Sequence, residues 1–173
     1  PLIVPEVNSK ELPKFKNKNI IANANCSVIP IVVALKPLHD LYNVKRIVAS
    51  TYQSVSGAGK AGMDELISQT KEVLENKNVH SKNFTKQIAF NAIPQHIDSF
   101  LENGSTKEEQ KNHDEVKKIL DNKISITSTC VRIPVLVSHS ISVNVEFNKK
   151  HNLEEVKTVL SSSPGCKVVD EHK

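Results

Sequence analysis

The sequence is poor in the materials that several functions require. It has no tryptophan, two tyrosines and five phenylalanines in 173 residues, so a platform for stacking nucleic-acid bases has little to be built from. The 23 basic residues stand against 19 acidic ones for a net charge of +4, with both signs interleaved along the chain. No basic stripe marks a nucleic-acid partner. No apolar run approaches the roughly 18 residues of a membrane span. The longest, Ile29 to Leu35, has seven residues and contains Pro30, so no membrane partner is expected. The three cysteines, Cys26, Cys130 and Cys166, are widely spaced, odd in number and without a CxxC pair. That pattern speaks against a disulfide scaffold and a zinc finger, and for a reducing, cytoplasmic setting. No ligand spacing calls for a metal.

What is present is ordinary: 38% hydrophobic and 24% charged residues. One domain of this size buries roughly two-thirds of its unfolded surface. Beginning at Pro1 without an initiator methionine, the chain reads as a piece of a longer protein.

Local patterning predicts an alternation without regular rhythm. Lys18 to Ala22 reads as a short buried strand, followed by a turn at residues 23–27 and a helix from about Ile29 to His39, with Pro30 tolerated near its start. Val44 to Thr51 alternates as a half-buried strand does. Met63, Leu66, Ile67, Thr70, Val73 and Leu74 share one face of a helix from about Gly62 to Asn76. Lys86 to Pro94 reads as a strand. A polar helix from Ser105 to Asn122 opens with Thr106-x-x-Glu109, a capping box. Ile124 to Val131 and Ser138 to Phe147 are strand-like, and a last helix covers about Leu153 to Leu160. In the second of these strands His139, Ile141, Val143, Val145 and Phe147 share one face. The expected class is α+β, with a mixed, largely antiparallel sheet and helices packed on one face.

Three groups of residues have chemistry to offer. Gly57-Ala58-Gly59-Lys60-Ala61-Gly62 matches G-x-G-x-x-G, but Tyr52 to Ser56 separates it from its strand and no acid ends the next strand. A glycine turn for close backbone approach is favoured over a dinucleotide fingerprint. Cys26, in Asn-Cys-Ser at a strand-to-helix turn, sits where backbone N–H groups and a helix dipole favour thiolate. It reads either as a nucleophile or as an inert cysteine beside apolar helix residues. Cys130 reads as core and Cys166 as an incidental loop residue. His139 reads as an acid/base partner or as a packing histidine. Arg132 follows small and apolar residues, where a guanidinium is expensive to bury unless it grips a carboxylate or phosphate. Glu108 and Lys111, three apart, share a helix face as an ion pair or as ligand-binding charges.

Taken together, four ordered stretches carry a resemblance: Ile20-Ile21-Ala22-Asn23-Ala24-Asn25-Cys26-Ser27, Ser50 to Gly59, Cys130-Val131-Arg132-Ile133-Pro134-Val135 and Ser138-His139-Ser140. In order and spacing, over essentially the whole chain, the sequence resembles the bacterial aspartate-semialdehyde dehydrogenases. The resemblance implies the fold of the C-terminal catalytic domain of glyceraldehyde-3-phosphate dehydrogenase-like proteins. It implies a catalytic and dimerisation domain over residues 1–173, lacking the N-terminal NADP-binding Rossmann domain and the C-terminal segment. The implied reaction is NADPH-dependent reductive dephosphorylation of L-4-aspartyl phosphate through a cysteine thioester, as in the synthesis of lysine, diaminopimelate, threonine and methionine.

Residue by residue, Cys26 matches the nucleophile, His139 the general acid/base and Gln53 the residue that orients substrate. Arg132 matches the arginine that binds the substrate carboxylate, while Glu108 and Lys111 match the pair that binds its amino and phosphate groups. Asn25 matches a residue that helps bind phosphate or the acyl oxygen. Ser56, Gly57 and Gly59 match the turn near the nicotinamide. A homodimer is implied. Ala24 stands where the family commonly has proline, Pro30 where it usually has glutamine, and His96 reads as an added residue. Two alternatives remain at this stage: a dimerisation module without turnover of its own, and a cysteine hydrolase built on Cys26 and His139.

Overall fold

The computed structural model describes residues 1–95 and 100–170; the expected added residue, His96, lies outside them. The elements in chain order are β1 (Leu2–Ile3), α1 (Pro5–Asn8), a 3-10 helix (Ser9–Asn17), β2 (Ala22–Asn23), α2 (Val28–Tyr42), β3 (Val44–Gln53), a 3-10 turn (Val55–Ala58), α3 (Gly59–Leu74), β4 (Ile93–Pro94), α4 (Lys107–Ile119), β5 (Ser125–Arg132), β6 (Ser140–Phe147) and α5 (Leu153–Ser162). β1 and β2 pair in parallel, β4 and β5 antiparallel, and the four-stranded sheet has the order β4-β5-β3-β6. This is the expected α+β class with a mixed sheet. The chain divides into two compact units. The first comprises Pro1–Val48, Asn112–Thr127 and the chain from Val143 onward; the second comprises Ala49–Lys111 and Ser128–Ser142.

The first unit is organised by α2, whose buried Val28, Ile31, Val32, Leu35, Leu38 and Tyr42 recur at helical spacing. They belong to a core with Val44, Ile47, Val116, Ile119, Ile124 and Ile126. The helix is longer at both ends than the sequence pattern indicated and runs through Pro37. A proline has no N–H for the carbonyl four residues back, here that of Val33. The thiol of Cys166 lies 3.9 Å from that Val33 oxygen, at a place the helix leaves open. Asn43 ends α2 in the left-handed conformation (φ 57°), its N–H donating to the His39 carbonyl.

The strand expected over 18–22 is reduced to Ala22–Asn23. Lys18 and Asn19 donate their N–H groups to the Phe15 carbonyl, and Asn19 has φ 53°. A left-handed residue cannot continue a ladder, and it leaves Ile20 and Ile21 exposed.

The second unit buries Val55, Leu66, Ile88, Ala89 and Ile93, with Met63, Val73 and Phe84 against them. Its α3 faces inward with Gly62, Glu65, Leu66 and Gln69, whereas Ile67 and Leu74 of the expected apolar face are exposed. Hydrogen bonding explains the rotation. The Glu65 carboxylate accepts from the N–H groups of Lys82 and Asn83 and from the side chains of Gln69 and Asn83, and Gln69 Oε1 accepts from the N–H groups of Ile88 and Ala89. These bonds also shorten the strand expected over 86–94 to Ile93–Pro94. The N–H groups it needed for pairing are held by a glutamine side chain, and Phe90 takes φ 57°.

Candidate active site

In the first unit Cys26 is exposed and stands immediately before Ser27, the N-cap of α2. Asn25 builds the turn around it. Its carbonyl accepts from the N–H groups of Val28 and Ile29, and its Oδ1 accepts from the N–H (2.9 Å) and Oγ (2.7 Å) of Ser27. Two of the N–H groups that α2 would otherwise leave orphaned are thereby satisfied. Ser27 Oγ also lies 2.8 Å from Asn112 Oδ1, sharing its one proton between the two amide oxygens, and the Asn25 N–H donates to the Glu115 carboxylate at 2.6 Å. The expected nucleophile is thus carried on a turn pinned from α4. Pro30 falls in the first turn of α2 and does not displace its start, because a proline there gives up only an N–H with no intrahelical partner.

The second unit brings together Gln53, Glu108, Lys111, Arg132 and His139. Gln53 ends β3 fully buried, its Nε2 donating to Thr51 Oγ1 at 3.2 Å and reaching Glu108 Oε1 at 3.4 Å. Glu108 is also buried, and its carboxylate lies 3.7 Å from the exposed Lys111 ammonium. Arg132 closes β5, buried, and its Nη1 donates to the Ser54 carbonyl. With one buried acid beside two cations, the cluster carries net positive charge and suits a substrate with more than one anionic group.

Ser54 connects this cluster to His139. Its N–H donates to His139 Nδ1 at 3.0 Å, and its Oγ lies 3.1 Å from the same nitrogen. Burial and the positive charge of Arg132 push the histidine below its ordinary pKa, against the opposing pull of the Ser138 carbonyl and the Glu108 carboxylate. Ser138, just before His139, has φ 76°, a conformation few non-glycine residues adopt outside sites where the surroundings impose it.

The glycine turn has reasons of its own. A Cβ at Gly57 would stand 2.9 Å from Arg132 Nη1, so this glycine makes room for the guanidinium. Gly59 has φ 73° and nothing within 4 Å of the place a Cβ would take, so it serves the bend of the chain and leaves its backbone open. Ser56 Oγ bonds Ser54 Oγ at 2.8 Å, and the N–H groups of Val55 and Ser56 donate to the carbonyls of Val135 and Leu136.

Residues 35–173 match the semialdehyde dehydrogenase dimerisation domain. The chain belongs to that family. An aspartate-semialdehyde dehydrogenase of Rickettsia conorii is 54% identical over 165 residues, covering 95% of this chain and 48% of that protein. One from Aquifex aeolicus is 51% identical over 172 residues, covering 98% and 50%. Aspartate semialdehyde dehydrogenase II of Vibrio cholerae, crystallised in complex with ASA, superposes with a TM-score of 0.92 at 49% identity, over 95% of this chain and 49% of that one. The chain spans about half the length of the curated relatives it matches. Cys26 and Asn25 precede the stretch matched to the dimerisation domain, whereas Gln53, Ser56, Gly57, Gly59, Glu108, Lys111, Arg132 and His139 lie within it.

Sequence reasoning missed Ser54, Asn112 and Glu115. The last two stand four and seven residues after Glu108, a spacing that marks one helix face and that could have drawn them out. Ser54 acts here chiefly through its backbone, which leaves no mark on residue type.

Proposed function

We propose that this chain is the substrate-binding catalytic portion of an NADP-dependent aspartate-semialdehyde dehydrogenase, converting L-4-aspartyl phosphate to L-aspartate 4-semialdehyde. The observation that carries the reading is the gathering of Arg132, Glu108, Lys111 and His139 about Gln53 and Ser54 in one unit. An amino acid acylated by phosphate presents a carboxylate, an ammonium and a phosphate. The cluster offers a guanidinium fork, a carboxylate and an ammonium to match them.

In this reading Arg132 holds the substrate carboxylate in a bidentate grip, Glu108 the amino group and Lys111 the phosphate. Gln53 orients the acyl group, and Asn25 assists at the phosphate or acyl oxygen. The Cys26 thiolate attacks the acyl carbon and expels phosphate, leaving a thioester. NADPH, when bound, supplies the hydride that takes this thioester to the aldehyde level. The open backbone at Gly59 fits the close approach of a flat nicotinamide ring beside Ser56 and Gly57. Release of the aldehyde restores the thiolate. His139 serves the oxygen that gains charge as the tetrahedral species forms and breaks.

The main cofactor pocket belongs to a Rossmann domain outside residues 1–173, so this stretch alone turns over little or nothing. A homodimer accords with the dimerisation-domain family, and a cytoplasmic setting belongs to the same proposal. Among the described residues no helix is long and apolar enough to cross a membrane.

The test is NADPH oxidation by the complete enzyme on addition of L-4-aspartyl phosphate. Cys26→Ser lowers the rate by several orders of magnitude. Undiminished turnover in that variant, or ester hydrolysis that needs no nucleotide, refutes the reading, the second result in favour of a cysteine hydrolase.

A further inference from the structure

The glutamate of the capping box at the head of α4 does more than cap. In such a box the carboxylate three residues into the helix reaches back to the N–H of the N-cap residue. Glu109 Oε2 accepts that bond from Thr106 N–H at 2.8 Å, while Thr106 Oγ1 accepts from Glu109 N–H at 3.3 Å. The other oxygen, Oε1, accepts from outside the helix, from the N–H of Cys130 in β5 at 3.1 Å. From this geometry we infer that Glu109 is a positioning residue for substrate: it clamps the first turn of α4 to β5 and so sets where Glu108 and Lys111 stand relative to Arg132. This rests on the substrate contacts proposed for those three residues and deepens them.

The groups to be aligned sit on two elements. Glu108 and Lys111 lie one residue before and two residues after Glu109 in α4, and Arg132 lies two residues beyond Cys130 in β5. All five belong to the second unit. Apolar packing is non-directional and leaves a helix free to slide along a strand, whereas a hydrogen bond fixes both distance and angle. The strand end of the clamp is itself held, because Cys130 is fully buried and its carbonyl accepts from the N–H of Gln95, also buried. At 3.1 Å the bond from Cys130 is shorter than the 3.4 Å contact of Glu108 with Gln53. Two successive acids thus divide the work, Glu108 beside Gln53 and Glu109 on the strand.

The charge of Glu109 gives no help to binding. Lys111 and Arg132 await anionic groups, and a further acid on the same turn opposes them. Removing that charge without movement is therefore expected to lower the KM for an anionic substrate, whereas loosening the clamp raises it. Position and charge predict opposite signs.

The test is steady-state kinetics of Glu109→Gln in the complete enzyme. The reaction is run towards the acyl phosphate, with L-aspartate 4-semialdehyde, inorganic phosphate and NADP each varied in turn. Glutamine keeps the length of the arm but offers one acceptor oxygen to two N–H groups. The KM values for the aldehyde and for phosphate are expected to rise about tenfold, and that for NADP to stay within about twofold, with kcat changed less than KM. Thr106→Ala is the control. It weakens the cap but keeps both N–H groups that Glu109 binds, so it is expected to lose stability in urea with its KM values unchanged. Values in Glu109→Gln that are unchanged, lowered, or raised together with that for NADP overturn the inference. So does a Thr106→Ala enzyme whose values rise as far. If Glu109→Gln does not fold, Glu109→Asp, with its charge on an arm one methylene shorter, carries the test by the same criterion. Arg132→Ala separates this clamp from the contacts beneath it. If Arg132→Ala leaves the KM for the aldehyde unchanged, the proposed substrate contacts fall, whereas a rise in Arg132→Ala without one in Glu109→Gln defeats only the clamp.

Discussion

Glycine to alanine at a position with ordinary backbone angles normally stabilises a protein by about 0.4–1 kcal/mol, because the unfolded chain loses freedom. Gly57 lies in the 3-10 turn Val55–Ala58 and is not among the residues with positive φ, so on backbone grounds Gly57→Ala belongs to that class. Packing reverses the sign. The new methyl group would stand 2.9 Å from Arg132 Nη1, 3.6 Å from Nη2 and 3.7 Å from Cζ. The guanidinium must shift, and it is a buried group whose Nη1 donates to the Ser54 carbonyl. Losing a charge-assisted hydrogen bond there costs about 1.5–3 kcal/mol. Set against the backbone gain, Gly57→Ala is expected to destabilise by about 1–2 kcal/mol.

The same substitution made in an Arg132→Ala background meets no guanidinium and is expected to stabilise by about 0.4–1 kcal/mol. Urea unfolding of the four proteins of this double-mutant cycle measures the difference. The expected coupling is about 2 kcal/mol. Additivity within about 0.5 kcal/mol refutes the claim that Gly57 exists to make room for Arg132.

Further predictions concern the cap of α4, the titration of His139 and the end of α2. Glu109 accepts from the N–H groups of both Thr106 and Cys130, while Thr106 Oγ1 accepts from Glu109 N–H. Thr106→Ala is therefore expected to cost about 1 kcal/mol and Glu109→Ala more, in denaturant unfolding, because two N–H groups lose their acceptor. His139 has a lowered pKa in the folded state, so the unfolded chain binds the extra proton first. Its contribution to stability is complete above its ordinary pKa and is lost as pH falls through the folded value. His139→Gln is expected to lose less stability than the parent between about pH 7 and pH 5, as read by urea midpoints at each pH. Asn43→Ala, at a left-handed C-cap, is expected to lower stability by about 1 kcal/mol and Asn43→Gly to leave it nearly unchanged.

Much of this architecture was legible wherever local signals and tertiary demands coincide. The capping box at Thr106 and Glu109 forms as read. α2, β3, β5 and β6 fall where periodicity placed them, and Arg132, Glu108, Lys111 and His139 lie in one unit. The departures arise where something other than local patterning decides, a side chain taking backbone N–H groups or a turn bending the chain away. The stretch 86–94 has strand-like composition, yet Gln69 takes its N–H groups. Ile20 and Ile21 look like core, yet Asn19 bends the chain away. The contact of Cys166 with a carbonyl freed by Pro37 was not legible because the two lie far apart in sequence. Gly57, read as part of the turn near the nicotinamide, also makes room for Arg132. The arginine it accommodates lies in another strand, and no spacing rule connects them.

The most direct test of the account is the pH dependence of alkylation by iodoacetamide, resolved by mass spectrometry among the three cysteines. Cys26 is exposed, Cys130 is buried, and burial raises the pKa of Cys166. The account predicts that Cys26 reacts first, with an apparent pKa well below the free-thiol value of about 8.5. It also predicts that prior L-4-aspartyl phosphate protects Cys26 alone. A Cys26 that reacts no faster than Cys166, or that the acyl phosphate leaves unprotected, contradicts the assignment of Cys26 as the nucleophile.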